Sequence, residues 1–122
     1  TIWSEQGKLD MVVGTRGGRH QPQLLSQFIL PHLLKNKSYE GNMRKGRWII
    51  DYFEENTASE LIIEESFGKE NIDELKEKGH SIKVVDALQG SFGPISAIYR
   101  EENNNWVGIA DPRVETANAW IE

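Results

Sequence analysis

Apolar and polar positions follow two different periods along this chain, and each change of period marks an element. Residues 1 to 15 read as a hairpin: "TIWSE" and "LDMVVGT" alternate or run apolar, and "QGK" between them supplies the turn glycine. From Pro22 to about Asn36 the apolar positions are Leu24, Leu25, Phe28, Ile29 and Leu33, the spacing of one helix face. Pro22 suits a first helical turn, where its missing N–H is not needed. Pro31 is discordant: it is expected to kink this helix or end it about one residue earlier, at a cost of roughly 3 kcal/mol in a regular interior. "SYEGNMRKG" reads as a short irregular helix or turn, and "RWIIDYFEE" and "SELIIEES" as strands. "GKENIDELKEKG" reads as a compact helix ended by Gly79, with Ile72 and Leu75 facing inward. "HSIKVVDA" is a further strand, and "GPISAIYREENNNWVGIADPR" a hairpin that turns near Asn103 to Asn105. Strands outnumber helices, and tight turns join several of them. The expected class is therefore α+β with largely antiparallel sheet rather than a regular βαβ series. No internal repeat or linker interrupts residues 1–122, which read as a single domain.

Composition narrows the partners. Hydrophobic residues make up 38% and charged residues 27%, as in an ordinary globular chain. The net charge of −5 disfavours nucleic acid or an anionic membrane as a general partner, and no apolar run is long enough for membrane insertion. The absence of cysteine excludes disulfides, thiolate zinc sites and a cysteine nucleophile. The chain opens on Thr1-Ile2-Trp3, already strand-like, as a processed product or the ordered part of something longer would.

"VVGTRGGRHQPQLL", residues 12 to 25, carries the candidate chemistry. Gly17 and Gly18 lie between a strand and a helix, flanked by Arg16, Arg19 and His20. Two glycine amides ahead of a helix can point into one space and add to the free N–H groups of the helix N-terminus. That is how an anion pocket or an oxyanion hole is built. The plainer alternative is a loop whose glycines only let it turn. The stretch is no dinucleotide fingerprint, which would need glycine at position 16, and no phosphate-binding lysine loop.

The other conspicuous residues have plain readings. Arg16 and Arg19 could attract an anionic substrate or be solvated loop charges. His20 is a possible donor behind the glycine loop, but no acid to orient it is identifiable, which favours a surface position. His32 reads as partly buried or capping and His80 as structural; the three histidines have no metal-ligand spacing. Neither metal nor other cofactor is expected. Asp111-Pro112-Arg113 reads as a structural corner, and Trp3, Trp48, Trp106 and Trp120 suit core and subunit packing.

Taken in order over nearly all of 1–122, these features resemble the γ-glutamyltransferase family. "TIWSEQGKLDMVVGTRGGRHQPQLLSQFI" is similar to the family's strand, turn, "G[ST]PGG" and helix, and "GGxxQPQ" looks like its related, acylase-like branch. "KGRWIID" stands where the family often has "APRF". "SELIIEESFGKENIDELKEKGHSIKVVDA" matches its strand, helix, "GH" and strand passage, and "GIADPRVETANAW" resembles its "G[AV]xDPR" ending. The resemblance implies the C-terminal part of a small subunit in an N-terminal nucleophile hydrolase, an α/β/β/α sandwich completed by a large subunit after self-cleavage. It implies γ-glutamyl transfer from glutathione or a related amide through a threonine acyl-enzyme. Gly17 and Gly18 align with the family's oxyanion-hole pair. The family's nucleophilic threonine and its substrate-binding serine pair lie upstream of this chain's first residue, so residues 1–122 alone are expected to be inactive. Thr1 aligns with a structural strand rather than with the nucleophile. Arg16 stands where the family usually has proline, which implies a different pocket. An acylase for other amides and a non-catalytic anion-binding or assembly domain remain the alternatives.

Overall fold

The computed structural model describes residues 1–35, 38–51 and 59–119. β1 (Ile2–Glu5) and β2 (Lys8–Thr15) form the expected hairpin. Its two turn residues, Gln6 and Gly7, both have positive φ (50° and 77°), the backbone twist that a two-residue hairpin loop requires. β2 pairs next with β6 (Ile95–Arg100), and β6 with β7 (Trp106–Ala110), giving a four-stranded antiparallel sheet in the order β1-β2-β6-β7. A second sheet has the order β3-β4-β5, from Trp48–Asp51, Glu60–Glu64 and Ile82–Val85. Here β4 and β5 run parallel, joined through α3 (Lys69–Glu77), the one departure from antiparallel pairing among the described strands. The remainder of the strand read in "RWIIDYFEE" lies outside the described residues, as does Trp120.

The alternation in β2 decides which way the first sheet faces. Met11 and Val13 are buried against Phe28 and Ile29 of α1 (Gln21–Lys35) and against Tyr39 and Met43 of α2 (Tyr39–Met43). Ile95 and Ala97 of β6 complete that core. Val12 and Ile98 point the other way and stay 40% and 53% exposed. Beyond the sheet, Leu24 at the start of α1 packs with Ile49 and Phe92 in a second cluster beside the smaller sheet. Helix α3 ends as expected: Gly79, at φ 89°, donates to the Lys76 carbonyl, while the His80 N–H donates to that of Leu75.

In α1, one of the two outcomes expected of Pro31 does not occur, and Leu33 is not where it was expected. The helix continues through Pro31 to Lys35 instead of stopping before it. Phe28 and Ile29 are anchored in the core before the proline, and His32 stacks on Tyr39 after it with ring centroids 3.9 Å apart. Tertiary contacts on both sides thus hold the segment helical against the local preference. Leu33, expected on the inward face, is 45% exposed. No helix among the described residues is long and apolar enough to cross a membrane.

Candidate functional site

The glycine loop leaves β2 at Thr15 and enters α1 through a 3-10 turn at Gly18–His20. Gly17 has φ 136° and ψ 10°, a conformation that L side chains rarely adopt, and Gly18 has φ 52°. An added Cβ on Gly17 would stand 2.9 Å from Leu24 Cδ1, whereas one on Gly18 would meet open space. The turn is closed through carbonyls: His20 N–H donates to Gly17 O at 2.9 Å, and Gln21 N–H donates to Gly18 O. Among the described residues, no protein acceptor takes the N–H of Gly17 or of Gly18.

A second loop supports this one from behind. Thr15 Oγ1 donates to Gly93 O at 2.6 Å, and Arg16 N–H donates to Pro94 O at 3.3 Å. The fit is tight, since a Cβ on Gly93 would lie 2.0 Å from Arg16 O. Arg47 Nη1 in turn donates to the carbonyls of Phe92 and Gly93, both at 3.1 Å. Arg47 belongs to a buried cluster of two guanidinium and two carboxylate groups. Its Nη2 lies 2.6 Å from Asp111 Oδ2. Arg113 reaches Asp111 Oδ1 at 3.2 Å and pairs with Glu64, its Nε donating at 3.0 Å. Glu64 also accepts from the backbone N–H of Arg47 and Gln89, each at 2.8 Å. Burial pulls the Arg47 guanidinium below its ordinary value, and Asp111 opposes that most strongly. The charges cancel within the cluster, so each buried ion has a partner and further hydrogen bonds. Asp111-Pro112-Arg113 is thus the structural corner it was read to be.

Asp51, at the end of β3, supplies the acid that was not identifiable beside His20. Its Oδ1 lies 3.2 Å from His20 Nε2 and 3.1 Å from Arg19 Nη2. A carboxylate can only accept, so Nε2 carries a proton. His20 is therefore half-buried and held, not a free surface residue. Arg16 is exposed. The structure thus sets Asp51 against Arg19 and His20 of the loop that also holds Arg16, Gly17 and Gly18, while His32 and His80 lie on other elements. Among the described residues no group of three histidine or acidic side chains could hold a metal ion. A hollow of about 890 Å³ is lined by Asp10, His32, Tyr39, Tyr99 and Arg100 but by no residue of the glycine loop. Tyr39 is pushed up to about 12 by burial and then by Asp10 and Tyr99, so it holds its proton near neutrality.

Thr1 lies on the sheet: its amino group donates to Val13 O at 2.8 Å, and Val13 N–H returns to Thr1 O at 2.9 Å. Both bonds extend the β1–β2 ladder.

The model of the gamma-glutamyltranspeptidase family matches residues 1–121. The chain belongs to that family. Among curated relatives, the oxamate amidohydrolase proenzyme of Klebsiella pneumoniae is 28% identical over 109 residues, covering 89% of this chain and 21% of the relative. The glutathione hydrolase-like YwrD proenzyme of Bacillus subtilis is 30% identical over 115 residues, covering 94% and 22%. This gamma-glutamyltranspeptidase-family chain therefore spans about a fifth of their length. Among solved structures, the Bacillus anthracis transpeptidase CapD superposes with a TM-score of 0.74 at 23% identity, covering all of this chain and 68% of that one. The gamma-glutamyltranspeptidase of Pseudomonas nitroreducens gives 0.79 at 18% identity, covering all of this chain and 61% of that one. The fold is the α+β fold of these solved structures, with the largely antiparallel sheet that the order of strands and turns led one to expect.

Proposed function

We propose that this chain is the C-terminal part of the small subunit of an enzyme that cleaves γ-glutamyl amides, glutathione among them, and that Gly17 and Gly18 form its oxyanion hole. The observation that supports this is the pair of glycine N–H groups without a protein acceptor among the described residues, on a loop pinned by Gly93 and Pro94 at the start of α1. A threonine hydroxyl supplied from upstream attacks the amide carbonyl. The oxygen gains negative charge as the carbon becomes tetrahedral, and two preformed N–H donors meet it without reorganising. Loss of one such donor typically costs about 3 kcal/mol in the barrier. Collapse of that intermediate breaks the C–N bond, and the amine leaves with the proton that the threonine hydroxyl gave up. The threonyl ester then passes its acyl group to water or to a second amine, which restores the free hydroxyl.

In this proposal the other half of the sandwich, from the large subunit and the upstream part of the small one, covers the outer face of the four-stranded sheet. Ile2, Val12 and Ile98 sit opposite one another on that face, 73%, 40% and 53% exposed. A row of aligned apolar side chains open to water marks a surface that another element buries. Residues 1–122 alone are then inactive.

A second reading, an acylase for a different amide, is favoured by Arg16 in the place of the family's usual proline and by the similarity to an oxamate amidohydrolase proenzyme. The test is turnover by the intact protein of γ-glutamyl-p-nitroanilide and of oxamate, beside residues 1–122 alone. Release of p-nitroaniline by the intact protein only supports the main proposal. Preference for oxamate selects the acylase, and equal turnover by residues 1–122 overturns the assignment of the nucleophile to an upstream segment.

A further inference from the structure

Among the described strands β3 lies at the edge of its sheet, and the side that does not pair with β4 is met by side chains. Gln27 Nε2 donates to Trp48 O at 2.8 Å, and Trp48 N–H donates to Gln27 Oε1 at 3.0 Å. Gln23 repeats the arrangement one turn earlier: its Nε2 donates to Ile50 O at 3.1 Å, and Ile50 N–H donates to its Oε1 at 2.8 Å. Each primary amide thus acts as a peptide group of a missing neighbour strand. The spacing makes this possible. Four residues of α-helix rise about 6 Å, and two residues of strand advance about 6.7 Å, so glutamines at i and i+4 match alternate strand residues. Alternate residues also direct their N–H and C=O to the same side of a strand, which is why 48 and 50 are paired in this way and 49 is not. Leu24, between the two glutamines in sequence, is fully buried with Ile49 and Phe92.

Four bonds seal the edge, yet sealing alone does not account for their place. Gln23 lies two residues into the helix that begins directly after the glycine loop. Asp51, the residue after Ile50, holds Arg19 and His20 of that same loop. β3 therefore grips the loop and its helix at residues 48, 50 and 51 in succession. We propose that Gln23 and Gln27 are positioning residues, which set where the Gly17 and Gly18 amides stand by locking the first turns of α1 to β3. This rests on the oxyanion role proposed above for its effect on rate, but not for its effect on the position of the loop.

The test uses the intact protein with Gln23→Leu, Gln27→Leu and Gln23→Glu. Glutamate keeps the acceptor for Ile50 N–H and loses the donor to Ile50 O. The kcat and KM for γ-glutamyl-p-nitroanilide are measured per folded molecule, together with amide hydrogen exchange at Trp48, Ile50 and the glycine loop. The leucine variants are expected to lose about 10- to 100-fold in kcat with KM nearly unchanged, as sub-ångström misplacement of catalytic groups does. Gln23→Glu should fall between them and the unaltered protein. Exchange at residues 48 and 50 should accelerate in step with exchange at Gly18 and Arg19. If Gln27→Leu fails to fold, Gln27→Met replaces it. An unchanged kcat with accelerated exchange confined to β3 would reduce the glutamines to edge protection and overturn the inference. If the unaltered protein turns over no γ-glutamyl amide, the functional proposal fails by itself. The exchange data then decide the inference: coupled acceleration in β3 and the loop supports it, and an unaffected loop overturns it.

Discussion

Replacing Asp111 by alanine perturbs stability and the candidate site by the same route. Asp111 is 1% exposed and accepts four contacts: Arg47 Nη2 at 2.6 Å, Arg113 Nη1 at 3.2 Å, and the backbone N–H groups of Ile95 at 2.9 Å and Arg113 at 3.0 Å. Arg113 keeps Glu64 after the change. Arg47 loses its direct carboxylate contact and becomes an uncompensated cation at 3% exposure. Removing one partner of a buried pair costs about 3–5 kcal/mol, and each buried N–H left without an acceptor about 1–3 kcal/mol. Neighbouring losses are not additive, so the expected total is about 5 kcal/mol, comparable with the whole stability of many domains.

Urea unfolding of the intact protein, followed by tryptophan fluorescence, measures that loss. Asp111→Asn retains the shape and one acceptor, and should lose about 3 kcal/mol, the low end for an orphaned buried charge. Pairing it with Arg47→Met removes the orphaned cation and should recover part of that loss but not all of it, because the Phe92 and Gly93 carbonyls lose their guanidinium donor. The rate should not recover with it, since the donor to the Phe92 and Gly93 carbonyls has gone and the support behind Gly17 has gone too. A loss of less than about 1 kcal/mol in Asp111→Ala would refute the electrostatic account. A double variant that regains full kcat would refute the mechanical link to the glycine loop.

Gly93→Ala should displace the glycine loop, because its Cβ would lie 2.0 Å from Arg16 O at a φ of 53°; a kcat within twofold of the unaltered protein would contradict that packing. Gly17→Ala, forced into φ 136° and against Leu24, should lose about 100-fold in kcat, the effect of one lost oxyanion donor. Gly18→Ala, with open space around its Cβ, should retain more activity, and equal losses would mean that backbone strain rather than packing governs the loop. For Tyr39, the neutral form is favoured by folding, so its contribution is fully present below the ordinary value of 10.0 and is lost as pH rises towards about 12. That contribution is at most about 2.7 kcal/mol, and less because Tyr39 lines a solvent-open hollow. Tyr39→Phe should therefore blunt the fall in stability between pH 10 and 12, and parallel alkaline unfolding curves for the two proteins would exclude this coupling.

What could be read from the sequence and what could not divide along one physical line. Met11 and Val13 against Val12, Gly7 in a two-residue turn and Gly79 after a helix are all local: period or φ demand shows within a few residues. Pro31 does not end the helix because its local penalty is real but smaller than the packing of Phe28, Ile29 and His32 around it. Asp51 was invisible as the partner of His20 because the two lie 31 residues apart and meet only when β3 lies against the start of α1. Gln23 and Gln27 resemble ordinary solvent-facing helix residues, and nothing short of a docked strand edge gives them a task. The buried cluster did leave a trace. Arg47 precedes "WII", Glu64 follows "LII", and Asp111 follows "GIA", so each places a charge directly beside an apolar strand that must bury its end. A single charge there is an ordinary boundary; these three balance only with Arg113, two residues past Asp111, and the four are buried cheaply only together. That these four would be buried together was not legible, since Lys8 and Glu60 also stand at strand ends and stay exposed. The order of partners was not legible either, because it depends on a contact that only the closed fold makes: Arg47 reaching back to Gly93, and Gly93 lying against the loop that carries the two glycine amides.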